Sequence, residues 1–194
     1  MNNTEREIIE AVYKAKSRLC TSYDVAVPNC FTSHDNEADL FFIRKSGFCD
    51  EVEIKTSRSD LLADAKKIVV YRDCEYRNKA ENSEVDSKWI HDHSHLTYDQ
   101  RKKLVAPWQR LKRVALERGE MDANYFWYAI KEGVGTLNDI PPYAGLIIIK
   151  DDGAVSVIRS ASRLHKDKMN FERKYKIARK ASYRFWKSEF GIGF

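Results

Sequence analysis

The sequence has few residues that break regular structure and no hydrophobic run long enough to span a membrane. Its 194 residues include only 8 glycines and 4 prolines, and 43% are hydrophobic, whereas disordered chains have low hydrophobicity and few aromatic residues. The longest apolar run, 144–149, has the length of a strand, and a membrane-spanning helix needs about 20 residues. The N-terminal residues M-N-N-T-E-R-E lack the apolar segment of a signal peptide. We therefore expect a folded, cytoplasmic protein that does not enter a membrane.

Closely spaced cysteines are also absent. The four cysteines, Cys20, Cys30, Cys49 and Cys74, form no C-x-x-C pair, and zinc sites usually use such pairs. In a reducing cytosol, isolated cysteines are most simply small hydrophobic residues of the core. The sequence thus argues against a cysteine-based metal site.

Positive charge exceeds negative charge and is concentrated in two segments. The formal net charge is +5, and segments 101–118 and 159–187 are rich in lysine and arginine. This distribution is compatible with a polyanionic partner such as DNA, although charge alone does not identify one.

The hydrophobic periodicity predicts alternating helices and strands. It gives a single α/β domain over 1–194, with a central mixed β-sheet flanked by helices and an insertion at about 72–118. The predicted strands are 23–31, 37–45, 49–56, 125–131, 143–150 and 154–159. The predicted helices are 4–19, capped by Thr4, a second running from about 57 to 68, a basic stretch 99–118 interrupted at Pro107, and 169–187.

Three charged residues on two adjacent strands form the candidate chemical centre. Glu53 and Lys55 are two residues apart on a strand, so both point to the same face, opposite Val52 and Ile54. The preceding strand pairs with this one through the short link at 46–47, which brings Asp39 near the same end of the sheet. Two carboxylates and an ammonium group are therefore expected to converge.

This set fits a site for Mg²⁺ or Mn²⁺. Hard divalent cations prefer oxygen ligands, which Asp39, Glu53 and the backbone carbonyl of Ile54 can supply. Lys55 can orient an attacking water or stabilise developing negative charge. The pattern is short, and a solvated ion pair of little energetic value is the alternative that spacing alone favours.

The flanking residues resemble a known superfamily. E-A-D-L-F-F-I followed by V-E-I-K-T-S-R-S-D-L-L-A-D resembles the PD-(D/E)XK nucleases, and within them MmcB-like DNA repair proteins and related phage-type nucleases. Leu61 stands where that pattern usually has phenylalanine. The resemblance covers roughly 35–70 and 122–161. It implies a restriction-endonuclease-like fold, a metal-dependent deoxyribonuclease activity on DNA, and a catalytic set of Asp39, Glu53 and Lys55.

Members of the superfamily often add a glutamate from the first helix. Glu5, Glu7 and Glu10 are the candidates here, and helical geometry does not choose between them. We take Glu10 as the fourth catalytic residue, because Glu7 serves the predicted helix cap.

Two further groups of residues are candidates for contact with nucleic acid. Ser57, Arg58 and Ser59 follow the E-x-K strand, where free N–H groups of a helix N-terminus could hold a phosphate, although helix capping explains the serines equally well. On the last helix the candidates are Arg173, Lys176 and Lys180. An amphipathic helix with its charges in water is the alternative.

Two other functions stay open from the sequence. The same fold can serve as a catalytically inactive DNA-binding module. Alternatively, His91, His93 and His95 alternate within H-D-H-S-H and could bind a transition metal, but a solvated loop is the simpler interpretation. A homodimer is compatible with the sequence, which does not decide the oligomeric state.

Overall fold

The computed structural model describes residues 3–20, 22–32, 36–71 and 108–191. The described helices are α1 (Asn3–Lys14), α2 (Arg58–Ala63), α3 (Lys112–Glu117) and α4 (Phe171–Phe190). The described strands are β1 (Tyr23–Phe31), β2 (Glu37–Arg44), β3 (Cys49–Lys55), β4 (Ile68–Tyr71), β5 (Trp108–Leu111), β6 (Tyr125–Lys131), β7 (Gly145–Ile149) and β8 (Val155–Arg159).

A mixed six-stranded sheet organises the domain in the order β1-β2-β3-β6-β7-β8. β1, β2 and β3 are antiparallel neighbours, β3, β6 and β7 run parallel, and β8 returns antiparallel to β7. Strands β4 and β5 form a separate antiparallel pair. The predicted α/β class with a central mixed sheet is thus confirmed.

Strand β3 is buried along its whole length and separates two sides of the core. Val52 and Ile54 pack with Ile8 and Val12 of α1 on one side. The other side holds a cluster under α2 and α3 around Phe126 and a cluster under α4. Helices therefore cover both faces, and the alternation of β3 turns Glu51, Glu53 and Lys55 away from α1.

Three boundaries differ from those that the periodicity predicts. α1 ends at Lys14, followed by a short 3₁₀ turn (Lys16–Arg18), and Thr4 lies inside the helix. The helix predicted to continue to Ile68 ends at Ala63, because I-V-V-Y is rich in β-branched residues and forms β4. Residues 108–118, placed in the predicted insertion, contain β5 and α3 and join the domain core.

The close approach of β6 and β7 requires a glycine. Gly145 pairs with Trp127, and a Cβ at position 145 would overlap carbons of the indole ring. The indole is itself fixed, since its Nε1 donates to Asp50 Oδ1 at 2.9 Å.

We expect Gly145→Ala to lower the free energy of unfolding by about 3 kcal/mol in urea denaturation, because the buried ring cannot move aside. Gly153→Ala is the matched control. It adds the same methyl group where nothing lies within 4 Å, at a φ of +80°, so backbone strain alone should cost about 1 kcal/mol. Equal losses in the two variants would contradict this account of Gly145.

Among the described residues, no helix is long and apolar enough to cross a membrane. Cys30 and Cys49 are buried in the cluster under α4, and burial raises the pKa of the Cys30 thiol to about 11. These two cysteines are core residues, as predicted, and Cys74 lies outside the described residues.

Candidate functional site

Asp39, Glu53 and Lys55 do lie together on one face of the sheet. The β2–β3 ladder pairs Leu40 with Val52, so the next position on each strand, Asp39 and Glu53, lies at the end of the ladder. There the Asp39 side chain replaces a backbone partner, because its Oδ2 accepts a hydrogen bond from Ile54 N at 2.6 Å. The carboxylate is thereby fixed against β3.

Glu53 is the centre of a buried charge network. Its side chain is almost fully buried, and its Oε2 lies 3.1 Å from Lys55 Nζ. Its Oε1 lies 3.2 Å from Lys67 Nζ and also accepts from Lys112 Nζ. Both carboxylate oxygens therefore contact ammonium groups, three in all.

Lys55 is held from two sides. Besides Glu53, it contacts Asp64 Oδ1 at 3.1 Å, and Asp60 lies farther away at 3.9 Å. Asp64 is buried at the end of α2 and accepts from the Tyr128 hydroxyl at 2.5 Å. Burial would lower the pKa of Lys55, but the carboxylates of Glu53 and Asp64 outweigh it, so the pKa is raised. Lys55 is thus a charged, oriented ammonium group.

A second buried carboxylate lies behind Glu53. Glu51 points to the same face and accepts from Asn36 Nδ2 at 3.0 Å, while Lys112 Nζ lies 2.7 Å from its Oε1. Lys112 is only 1% exposed. Burial opposes its charge, but Glu51 and Glu53 hold the pKa of Lys112 above its usual value. An internal cation therefore bridges the two glutamates.

The pKa values of the two candidate metal-binding carboxylates are shifted in opposite directions. Burial and the neighbouring Glu53 raise the pKa of Asp39 from its ordinary value of 3.8 to about 6, even though Ile54 N–H and Lys55 act against the shift. For Glu53, burial raises the pKa, but Lys112, Lys55 and Lys67 together lower it below the usual range. Glu53 is thus ionised at neutral pH, whereas ionisation of Asp39 lowers the stability of the folded protein.

The site opens to solvent through a cleft of about 620 Å³. We call it the site cleft; it is lined by Glu5, Asn29, Phe31, Asn36, Glu37, Asp39, Lys67 and Ile68. Five of its eight lining residues are carboxylates or amides, whose side chains offer oxygen ligands. Of the two candidate metal-binding carboxylates, Asp39 is the one that lines the cleft, whereas Glu53 is covered by its lysines.

The glutamate that α1 brings to this cleft is Glu5. It lines the site cleft and its charge contributes to raising the pKa of Asp39. Glu10, the predicted fourth catalytic residue, forms ion pairs with Arg6 and Lys14 of its own helix, and Glu7 pairs with Lys131. The structure therefore does not bring Glu10 to the group around Asp39.

The donor set is suited to a hard cation. Among the residues that the structure describes, no group of three or more His, Cys, Asp or Glu side chains is arranged to hold a metal. Asp39 and Glu5 line one cleft and offer carboxylate oxygens, the ligands that Mg²⁺ and Mn²⁺ prefer, and these ions keep several waters and need few protein ligands. Glu53 could join them only by releasing a lysine, since both of its oxygens contact ammonium groups. Ile54, predicted to offer its carbonyl, uses its N–H to fix Asp39.

The residues after β3 have structural partners. Ser57 is the N-cap of α2 and accepts from Asp60 N at 3.2 Å, and its hydroxyl lies 3.0 Å from that of Ser59. Arg58 forms an ion pair with Asp139 at 2.6 Å. α2 has only six residues, so these contacts favour helix capping over phosphate binding.

The three basic candidates on α4 have different surroundings. Arg173 forms an ion pair with Asp122, which ties the start of the helix to the chain before β6. Lys176 pairs with Glu172 at 2.6 Å. Lys180 lines a second cleft between α4 and β1. Of the three, Lys180 is the one that faces a concave surface.

Several residues of the charge network around Glu53 were not predicted from the sequence. Neither Glu51 nor Asp64 is among the site residues that the sequence predicts. Lys67 and Lys112 lie 14 and 59 positions beyond Glu53, and no local pattern connects them to it. His91, His93 and His95 lie outside the described residues, so the transition-metal hypothesis stays a prediction.

Comparison with known proteins identifies a fold and no family. No protein-family model and no curated protein matches the chain. The chain is similar to the solved structure of the SPO1766 protein of unknown function from Silicibacter pomeroyi, with a TM-score of 0.54 and 16% sequence identity over 97% of this chain and 90% of that chain. A likeness at this level of identity supports the α/β fold and nothing about activity.

Proposed function

We propose that the protein is a metal-dependent nuclease that hydrolyses phosphodiester bonds of DNA with Mg²⁺ or Mn²⁺. The observation that carries the proposal is the convergence of Asp39, Glu53 and Lys55 at the end of the β2–β3 ladder, next to an open polar cleft. The resemblance of the two flanking segments to PD-(D/E)XK nucleases supports the same assignment.

Each residue of the set has a distinct task in this proposal. Asp39 and Glu53 would hold the cation, which supplies a more acidic bound water and offsets charge on the phosphate. Glu53 stays ionised because the lysines lower its pKa. Lys55, fixed between Glu53 and Asp64, donates toward the attacking water or the phosphate oxygen. Lys67, at the rim of the cleft, adds positive charge for the incoming phosphate.

A cleavage panel tests the proposal. Single-stranded, duplex, nicked and branched DNA are incubated with Mg²⁺, Mn²⁺ or EDTA, and products are resolved on denaturing gels. We expect cleavage with either metal and none with EDTA. Glu53→Gln and Lys55→Ala should each lower the rate at least about 10²–10³-fold, with folding checked by circular dichroism. Glu132→Gln, an exposed carboxylate outside the cleft, is the control. Wild-type rates in both site variants would reject the assignment.

A catalytically inactive DNA-binding module is the second candidate. It is favoured by one observation: both oxygens of Glu53 already contact lysines, which reduces what Glu53 can offer to a cation. This function predicts DNA binding that is salt-sensitive, independent of divalent metal and never followed by cleavage.

A further inference from the structure

The site cleft adjoins a second cleft that leads to α4. This second cleft, here the helix cleft, has a volume of about 700 Å³. Its lining includes Asn29, Phe31, Arg179, Lys180, Tyr183 and Arg184. Asn29 and Phe31 line both clefts, so the two form neighbouring parts of one surface, with the proposed catalytic group at one end and a basic helix at the other.

Phe31 lies where the two clefts meet. It is the last residue of β1, pairs with Glu37 and is 53% exposed. Asp39 is two residues along β2 from Glu37, a distance of about 7 Å. About half of this aromatic side chain is thus exposed to solvent beside a charged site. Such a ring can stack on an unpaired base.

The charge of α4 indicates what the helix cleft attracts. Seven lysines and arginines lie on the helix against two glutamates, Glu172 and Glu189. This excess favours a polyanion, and it disfavours pairing of two copies through this helix, since like charges would face one another. Three of the basic residues, Arg179, Lys180 and Arg184, line the helix cleft.

Exposed aromatic rings accompany these charges. Tyr175, Phe185 and Phe190 are each more than half exposed, and Trp186 is 39% exposed. Phe185, Trp186 and Phe190 form a cluster with ring centroids 4.9–6.1 Å apart. These four rings lie outside the lining of the helix cleft, whose aromatic side chains are Phe31 and Tyr183. Cationic grooves with aromatic side chains bind single strands, whose bases are free to stack, whereas the bases of a duplex are not.

A direct contact connects α4 to β1, the strand beside the one that carries Asp39. Arg184 donates to the carbonyl of Pro28 at 3.0 Å and to that of Asn29. Asn29 has a φ of +48° and lies between the pairs Pro28–Leu40 and Cys30–Ala38, opposite Asp39. The basic helix is therefore fixed at a defined position relative to the carboxylate, which a strand crossing both clefts requires.

We propose that the substrate is single-stranded DNA, bound along the helix cleft and across Phe31 into the site cleft, with Phe31 stacking on the base beside the phosphate at Asp39. The part of this inference that leads the DNA into the site cleft rests on the proposed nuclease function. The binding surface itself rests on Phe31 and α4.

The test is fluorescence anisotropy with labelled oligothymidine and with a duplex of equal length, in EDTA so that no cleavage occurs. We expect tighter binding of the single strand by about tenfold or more, and a loss of about 5–100-fold in Phe31→Ala. Phe31→Tyr, which keeps the ring, should stay within about twofold of wild type.

Lys180→Gln should reduce the slope of log affinity against log salt by about 1. Ile158→Ala removes an equally exposed apolar side chain on β8 and should change nothing.

The outcomes separate this inference from the nuclease proposal. Phe31-dependent binding of single strands without any metal-dependent cleavage supports the surface and refutes the nuclease. Cleavage of duplex and single strands at equal rates, with Phe31→Ala at the wild-type rate, overturns the inference and leaves the nuclease standing. A dimer broken by Trp186→Ala, with no affinity for oligothymidine, would make α4 a contact between copies and also overturn it.

Discussion

Asp39→Asn is expected to make the protein more stable and inactive at the same time. Burial and Glu53 make the ionised Asp39 carboxylate unfavourable in the folded state, and the amide keeps an oxygen for the hydrogen bond from Ile54 N. We expect the free energy of unfolding at pH 7.5 without divalent metal to rise by about 1–3 kcal/mol. If the proposed nuclease function holds, the rate of DNA cleavage should fall at least about 10²–10³-fold, since the substitution removes a proposed metal ligand.

The pH dependence gives the sign of the stability effect. The pKa of Asp39 is 3.8 in the unfolded chain and about 6 in the folded protein. Below pH 3.8 Asp39 is protonated in both the folded and the unfolded state, so the substitution does not change the free energy of unfolding. As pH rises from 3.8 to 6, the unfolded state loses its proton first, so wild type loses stability that the asparagine variant keeps. Above pH 6 the difference is constant. Urea denaturation at pH 4, 5, 6 and 7.5 measures it.

Divalent metal should make wild type more stable than Asp39→Asn, the reverse of the order without metal. A cation that binds the folded state only raises its stability by mass action, so Mg²⁺ should stabilise wild type and leave Asp39→Asn unchanged. Asp24→Asn, an exposed carboxylate on β1, is the matched control and should behave as wild type. If Asp39→Asn were less stable than wild type at pH 7.5, the carboxylate would be part of the structural network and not a group kept for a cation.

Lys112→Met is expected to have the largest effect on stability. The substitution removes the ammonium group that bridges Glu51 and Glu53 and leaves two buried carboxylates without their main partner. Breaking a buried ion pair in this way costs about 3–5 kcal/mol. Urea denaturation at pH 7 measures the loss. Lys66→Met, at an exposed position before β4, should stay within about 0.5 kcal/mol of wild type.

A double variant separates lost charge from lost packing. Glu51→Gln combined with Lys112→Met removes one carboxylate together with its cation, so much of the stability should return. The second carboxylate, Glu53, keeps Lys55 and Lys67 as partners. If the double variant were as unstable as Lys112→Met alone, the lysine would act through the packing of its stem against Phe126, over whose ring its ammonium lies.

The part of the site on β2 and β3 could be predicted from the sequence because it depends on local geometry. The alternation of β3 places Glu53 and Lys55 on one face whatever the rest of the chain does. The short link at 46–47 makes the hairpin, and the hairpin brings Asp39 alongside. Two strands and one turn are enough for these three residues.

The site residues outside β2 and β3 are positioned by the packing of elements that are distant in the sequence. No local sequence pattern predicts that packing. Whether Glu5 or Glu10 reaches Asp39 is decided by the position of α1 on the sheet, since both glutamates are exposed on an isolated helix. Lys112 reaches Glu53 only after β5 pairs with β4, and the basic composition of 101–118 suggested a surface helix. Ile68 was a different case: its β-branched neighbours indicated a strand, and the helical spacing of the preceding leucines was given too much weight.

The small β4–β5 pair has a consequence for the evolution of the centre. Lys67 and Lys112 directly precede β4 and follow β5, and the Lys112 N–H donates to the Lys67 carbonyl at 2.8 Å. Four residue pairs close this ladder, from Ile68–Leu111 to Tyr71–Trp108. The positions of both ammonium groups are therefore set by backbone pairing in this ladder, so the charge balance at Glu53 depends on four residue pairs that lie outside the six-stranded sheet.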